Sequence, residues 1–425
     1  MTIRHSISDA LQRDASDPLA HFADEFHHPR RADGERLTYL CGHSLGLAPK
    51  SAAACIRQEL DSWASAGVLG HHDGARPWIP YHRLLSEPLG VLVGASAGEV
   101  VAMNSLTVNL HLMMTSFFRP RGTRNRILME ASAFGSDRYA MVSQLALHGL
   151  NENDHLIEIA PRPSERHLRT ADIIERIEFE SERLALVLLP GVQYLSGQCF
   201  ELQPIIGAAR RVGAVAGVDL AHAIGNTVLR LHDWNADFAV WCSYKYLNAG
   251  PGATGGCFVH ERHAHRFDLP RLAGWWGHDA GSRFQMGPDF HAMPGAEGWQ
   301  LSNPPIFSTA PLLASLDIFK RAGIANLRAK SIALTGYLES LIRAQLAHAI
   351  HIITPAVAEE RGCQLSLRIV RSPQEAKRTF ASLTAAGLVA DWREPDIIRL
   401  APVPLYNSHA DCFNAVRILS GALQA

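Results

Sequence analysis

The chain has 425 residues, and because single cores stop growing at about 250 to 300 residues, two closely associated domains are expected. Hydrophobic residues make up 47% and the formal net charge is −1, which excludes a disordered chain and a basic nucleic-acid surface and leaves a small molecule as the expected partner. Seven scattered cysteines without a CxxC pair, a polar stretch from Met1 to Pro18, and no apolar run near the roughly 18 residues of a membrane span point to free thiols, no membrane segment and the cytoplasm.

In chain order, a polar first helix is expected to end near Pro29, and a turn over Gly42 to Gly46 to precede a helix from Pro49 to Ala66. Short apolar runs then alternate with amphipathic stretches: Val100 to Met103, Arg126 to Met129, Leu156 to Ile159, Leu184 to Leu189, Ala214 to Asp219, Phe238 to Cys242 and Gly256 to His260. That alternation predicts an α/β layered domain with a mostly parallel sheet. The Gly-, Trp- and Pro-rich segment from Gly274 to Pro305 is too long for an inert connection and reads as functional. Helices over Pro311 to Arg321 and Leu327 to Ala349, with strands near His351 to Ile353, Cys363 to Val370 and Ile397 to Leu400, predict a smaller α/β domain.

Lys245 is the most informative residue. Of 40 cationic side chains, 35 are arginine, and Lys245 is the only lysine between Lys50 and Lys320. Arginine cannot shed its proton to act as an amine nucleophile, whereas lysine can. Placed where a buried strand gives way to Ser243-Tyr244-Lys245-Tyr246-Leu247-Asn248, the amine loses hydration, which favours its neutral form and Schiff-base chemistry with an aldehyde. A lysine snorkelling from a strand end explains the same position. Asp219 closes another buried strand, with His222 three residues later; it suits a protonated ring nitrogen, or equally a helix cap. Asn104-Ser105-Leu106-Thr107 precedes an amphipathic helix, Val108 to Phe118, and offers either a phosphate cradle or ordinary capping. Ala133-Phe134-Gly135-Ser136-Asp137 repeats that arrangement with an aromatic face. The run His260-Glu261-Arg262-His263-Ala264-His265 matches no zinc spacing, so it reads as a solvated helix and no metal is expected. A Walker A pattern is absent.

Taken together these residues resemble a fold-type I pyridoxal-phosphate enzyme, and more narrowly the kynureninase family. The likeness covers nearly the whole chain: Tyr39-Leu40-Cys41-Gly42-His43-Ser44-Leu45-Gly46, Gly70-His71, Arg76-Pro77-Trp78, Leu106-Thr107-Val108-Asn109-Leu110-His111-Leu112, Asp219-Leu220-Ala221-His222-Ala223, Leu231-His232-Asp233-Trp234, Trp241 to Asn248, Gly274-Trp275-Trp276-Gly277-His278, Ser302-Asn303-Pro304-Pro305-Ile306 and Arg399 to Ser408. It implies an aspartate-aminotransferase-like fold, with a large mostly parallel sheet domain over residues 46–308, a small α/β domain over 309–425, and an N-terminal segment, 1–45, contributing to the small domain.

The resemblance implies pyridoxal 5'-phosphate bound to Lys245, with Asp219 on the pyridine nitrogen, His222 beside the ring and Phe134 stacked on it. Leu106, Thr107, Gly135, Ser136, Asp137 and Tyr244 would complete the cofactor site, together with Trp275 and Asn303 from a neighbouring subunit of a homodimer. Arg399 would take the substrate α-carboxylate, and Ser44, His71, Trp276, Ser302 and Asn303 would line an aryl pocket. Lys245, Tyr244 and Asp219 would carry catalysis: hydrolysis of the Cβ–Cγ bond of a kynurenine to L-alanine and an anthranilate, within tryptophan catabolism or NAD biosynthesis. His71, Ser302 and Asn303 match relatives that favour 3-hydroxykynurenine. The chain departs from the family pattern at His43, Gly135, Pro190 and Trp276, which bears on pocket width and on one phosphate or ring contact. An aminotransferase or β-lyase of the same fold type would share Lys245 and Asp219 without needing the aryl residues, and a silent cofactor-binding regulator would keep them without turnover.

Overall fold

In the computed structural model, which describes residues 6–424, the segment Leu-Ala-Leu-Val-Leu-Leu-Pro forms a strand buried on both faces in the interior of a seven-stranded sheet. Its apolar residues do not alternate with polar ones because helices cover both sides. In chain order the strands are β1 (Val100–Ala102), β2 (Arg126–Glu130), β3 (Leu156–Ile159), β4 (Leu184–Pro190), β5 (Val215–Asp219), β6 (Phe238–Trp241) and β7 (Gly256–Val259), arranged across the sheet as β1-β7-β6-β5-β4-β2-β3. Pairings among β3, β2, β4, β5 and β6 are parallel, and β7 is antiparallel to both β6 and β1. Successive side chains serve opposite cores. Leu186 and Leu188 face one hydrophobic cluster with Phe238 and Val240, while Val187 and Leu189 face the other with Val218 and Trp241. Gly217 of β5 is required by this packing, since a Cβ there would collide with the Phe238 ring.

A second sheet is antiparallel throughout. Its strands β8 (Ile350–Ile352), β9 (Leu365–Ile369), β10 (Asp391–Arg393) and β11 (Ile397–Leu400) lie in the order β10-β11-β9-β8. They share a separate core with the helices Ile324–Gln345 and His409–Gln424. The N-terminal segment docks here: Thr38–Tyr39 pairs in parallel with Leu388–Val389, and the helix Ile7–Ala15 packs against His409–Gln424. Asp14 accepts from the His409 backbone N–H at 2.7 Å, and the buried Lys330 pairs with Asp17 at 2.6 Å. All seven cysteines are unpaired thiols, and no helix among the described residues is long and apolar enough to cross a membrane.

Local differences from the sequence expectations have physical causes. The first helix stops at Ala15, and a 3-10 turn, Ala20–Glu25, follows, because Pro18 disfavours helical backbone before it. The helix expected from Pro49 begins at Ala52. His260 is buried rather than solvated, and it caps a single turn, Glu261–His263, by accepting from the Arg262 N–H at 3.1 Å. Among residues 274–305 three 3-10 turns form, held by Trp299 Nε1 donating to Ser116 Oγ at 2.8 Å and by Arg283 donating to the Trp276 carbonyl at 2.7 Å.

Candidate active site

The parallel strands β5 and β6 end side by side, and their carboxyl ends open into one cavity, the usual crevice of an α/β sheet. Asp219 ends β5, 6% exposed, with Oδ1 accepting from the Ala221 N–H at 2.7 Å. Past β6 the chain reverses through Ser243–Asn248, closed by Ala249 N donating to Ser243 O at 3.0 Å and Asn248 N to Lys245 O at 3.0 Å, with Asn248 left-handed at φ 52°. This loop is clamped from outside by Gly46, whose N–H donates to Tyr244 O at 2.9 Å and whose position has no room for a Cβ against the Lys245 carbonyl.

Lys245 Nζ lies 3.1 Å from His222 Nε2 and 5.9 Å from the centroids of both the Phe134 and Tyr244 rings. Burial, followed by the positive charge of Lys245, pushes the His222 imidazole well below its usual range, so it stays neutral and can accept a proton's hydrogen bond from the amine. Burial also raises the Tyr244 phenol, which therefore keeps its proton. Below Asp219 sit two further carboxyls. Asp137 is pushed well above the ordinary range by burial and by the charge of Asp219, and Glu130, at the end of β2, is pushed up to about 8 by the same two causes. Three acids share one desolvated region, and they cannot all ionise.

On the same cavity two helices, α1 (Leu106–Phe117) and α2 (Gly135–Leu147), begin with no side-chain cap at either N-terminus, and Thr107 Oγ1 and Ser136 Oγ, 2.7 Å apart, join them. Helix starts flanked by hydroxyls suit a phosphate. Asp137 Oδ1 and His222 Nδ1 are buried without a partner in the chain. Buried acids, a lysine, an exposed Phe134 face and a phosphate cradle on one cavity fit pyridoxal 5'-phosphate.

The cavity thus brings together Leu106, Thr107, Phe134, Ser136, Asp137, Asp219, His222, Tyr244 and Lys245, with Gly135 at the first position of α2 between two of them. Pro190 lines it too, opposite Asp219 in the sheet register. Arg399 borders it, Nη1 donating at 2.6 Å to the carbonyl of Tyr194, which is a lining residue. Ser44, His71, Trp275, Trp276, Ser302 and Asn303 do not line it. Ser302 and Asn303 are exposed, Trp275 is 38% exposed, His71 packs edge-on against Trp78 at 5.3 Å, and Trp276 is buried under Arg283.

Sequence reasoning missed Glu130, Tyr194 and Asp391. Glu130 carried the same signal as Asp219, a carboxylate closing a buried strand, whereas Tyr194 and Asp391 had none that was local. It also missed that His260 meets Glu99 and His232. Glu99 accepts from His232 Nδ1 at 3.0 Å and from the Glu261 N–H at 2.8 Å. The His260 Nδ1 lone pair is already taken by Arg262 N–H, so this cluster is consumed by structural bonds.

Known proteins place this geometry. Solved structures similar in fold include a cysteine desulfurase from Escherichia coli, at TM-score 0.76 and 16% identity over 96% of this chain and 98% of that one. Another is a cystine C-S lyase in complex with cysteine persulfide, at TM-score 0.76 and 16% identity over 90% of this chain and 97% of that one. At that identity the likeness establishes the fold alone. Residues 327–419 match the kynureninase C-terminal domain family. Kynureninases from Koribacter versatilis and Myxococcus xanthus are 53% and 54% identical, over 96% and 98% of this chain and 96% and 97% of their own lengths. One from Xanthomonas oryzae is 55% identical over 95% of each. With identity above half sustained along nearly the whole length, the chain belongs to the kynureninase family.

Proposed function

We propose that this enzyme hydrolyses the Cβ–Cγ bond of L-kynurenines to L-alanine and an anthranilate, and that 3-hydroxykynurenine is the preferred substrate. The observation that carries the reaction is Lys245 Nζ at 3.1 Å from a neutral His222, in one cavity with Asp219 and Asp137. When bound, pyridoxal 5'-phosphate supplies an electron sink for the bonds at the substrate's Cα and Cβ. Asp219 and Asp137 would hold the pyridine end, Phe134 would cover the ring face, and the starts of α1 and α2 with Thr107 and Ser136 would hold the phosphate. Lys245 Nζ would hold the cofactor's aldehyde end and would serve as the base toward the substrate Cα, with His222 at 3.1 Å as its hydrogen-bond partner. Tyr244 retains its proton and would donate it to the three-carbon fragment that becomes alanine. Arg399 takes the α-carboxylate through its planar fork.

The aryl side supports the narrower reading. His71, Ser302 and Asn303 are polar and lie outside the cavity of one protomer, and exposed Trp63, Trp275, Phe284 and Phe307 surround this part of the chain with apolar surface. We infer a homodimer in which Trp275 and Asn303 complete the neighbouring site, in a cytoplasmic enzyme of tryptophan catabolism or NAD biosynthesis. The division into 1–45 with 309–425, around a larger 46–308, is proposed on the smaller core that Ala10 and Leu40 share with Leu334, Leu338 and Leu419, while Leu19, Phe22, Phe26 and the helix Ile306–Ala322 pack into the larger one. A histidine and an amide that bond a phenolic hydroxyl are left unpaired when the substrate lacks it, which favours the hydroxylated ring. The test is kcat/KM for kynurenine and 3-hydroxykynurenine in wild type and in His71→Trp/Asn303→Thr. The ratio is expected to favour 3-hydroxykynurenine and to fall by roughly tenfold in the double variant. A wild-type preference for unsubstituted kynurenine overturns the narrower reading and leaves the reaction standing.

A further inference from the structure

Arg399 sits on β11 directly across from Asp391 on β10, so their side chains share one face of the antiparallel pair. The guanidinium is 1% exposed and held from two sides: Nε donates to Asp391 Oδ1 at 2.7 Å, Nη1 donates to the Tyr194 carbonyl at 2.6 Å, and Nη2 lies 2.7 Å from the same Asp391 oxygen as an ion pair. One donor remains on each terminal nitrogen, which is the pair a carboxylate takes in two parallel bonds. Asp391 is held in turn by Arg393, two residues along the same strand, with Nε at 3.0 Å and Nη2 at 3.3 Å. Arg393 also lies 5.8 Å over the Tyr194 ring, which meets Phe134 edge-on at 5.3 Å. Two guanidiniums around one carboxylate leave a single positive charge, enough for one monoanion.

We infer that Asp391, with the Tyr194 carbonyl, orients Arg399 for the substrate carboxylate, and that Arg393 keeps Asp391 in place. Asp391 is a positioning residue, and it does not compete with substrate, because the donors it uses lie on the side of the fork away from the free pair. This inference rests on Arg399 being the carboxylate receptor.

The test uses holoenzyme and calorimetric binding of L-alanine, with L-alaninamide as the carboxylate-free control, alongside steady-state kinetics. Asp391→Asn is expected to weaken L-alanine by about tenfold and L-alaninamide by less than about twofold, raising KM far more than it lowers kcat. Arg393→Ala should move the same quantities in the same direction by a smaller factor. It also carries the test if the Asp391 variant does not fold, since its side chain is 34% exposed. Unchanged or tighter L-alanine binding, or equal losses for both ligands, overturns the inference. Arg399→Ala separates the two claims. If it leaves L-alanine binding intact, the receptor assignment itself falls; if it abolishes binding while both other variants bind normally, only the positioning role falls.

Discussion

The two ends of the proposed substrate path are built differently. The cofactor end lies on the carboxyl ends of β2, β5 and β6 and on the first turns of α1 and α2, and one chain brings Asp219, Asp137, His222 and Lys245 together in a single cavity. The aryl end is carried by turns, Gly67–His71 and Trp275–Gly277, and by the connection through Ser302 and Asn303, and it is exposed and dispersed. Proton transfer at a fixed carbon needs groups held within a fraction of an ångström, which strand ends in a packed sheet provide. Discrimination between rings tolerates looser elements, and surfaces that a second copy can cover.

The sharpest way to break this contrast is to remove the cofactor end's central group. Lys245→Ala is expected to lower turnover by more than about a thousandfold and to abolish the visible cofactor absorption, because no other lysine lies between Lys50 and Lys320 to take its place. Reducible, covalently attached cofactor in that variant would refute the assignment.

A milder perturbation asks whether the aryl end is shared. When inactive Lys245→Ala and inactive Asn303→Asp protomers are mixed under conditions of subunit exchange, half the dimers are hybrids and each hybrid keeps one unaltered site, so activity should return to roughly a quarter of wild type. Exchange without recovery would place both ends in one protomer.

The smallest effect sharpens the cofactor end. Glu130 has its carboxyl raised to about 8 from an ordinary 4.5, so in that window the native state holds its proton more tightly than the unfolded chain does. The unfolded state then binds fewer protons, and stability falls as pH rises through the window, at up to about 1.4 kcal/mol per pH unit. Glu130→Gln should flatten the decline in Tm between pH 6 and 8. An identical pH profile in the variant would mean that Glu130 is ionised throughout.

How much of this was legible depended on whether a signal was local. The β4 and β5 runs, the break after Gly274 and the scarcity of lysine around Lys245 are properties of contiguous residues, and the strands lie within a residue or two of their expected bounds. Even Glu130 was readable by the rule that picked out Asp219. His260 was misread as solvated because Glu99 lies far away in sequence and approaches only when β7 pairs with β1.

By itself, then, the amino-acid order determined the alternation of strand and helix, the lysine, the acid that closes β5, and the family likeness, since hydrophobic period and rare residue types are written along the chain. Only the tertiary structure decided that Asp137 and Glu130 crowd Asp219, that His222 is neutral beside Lys245, and that Asp391 and the Tyr194 carbonyl hold Arg399. Those are facts of desolvation and of register between strands, and both arise when segments distant in sequence are packed together out of water.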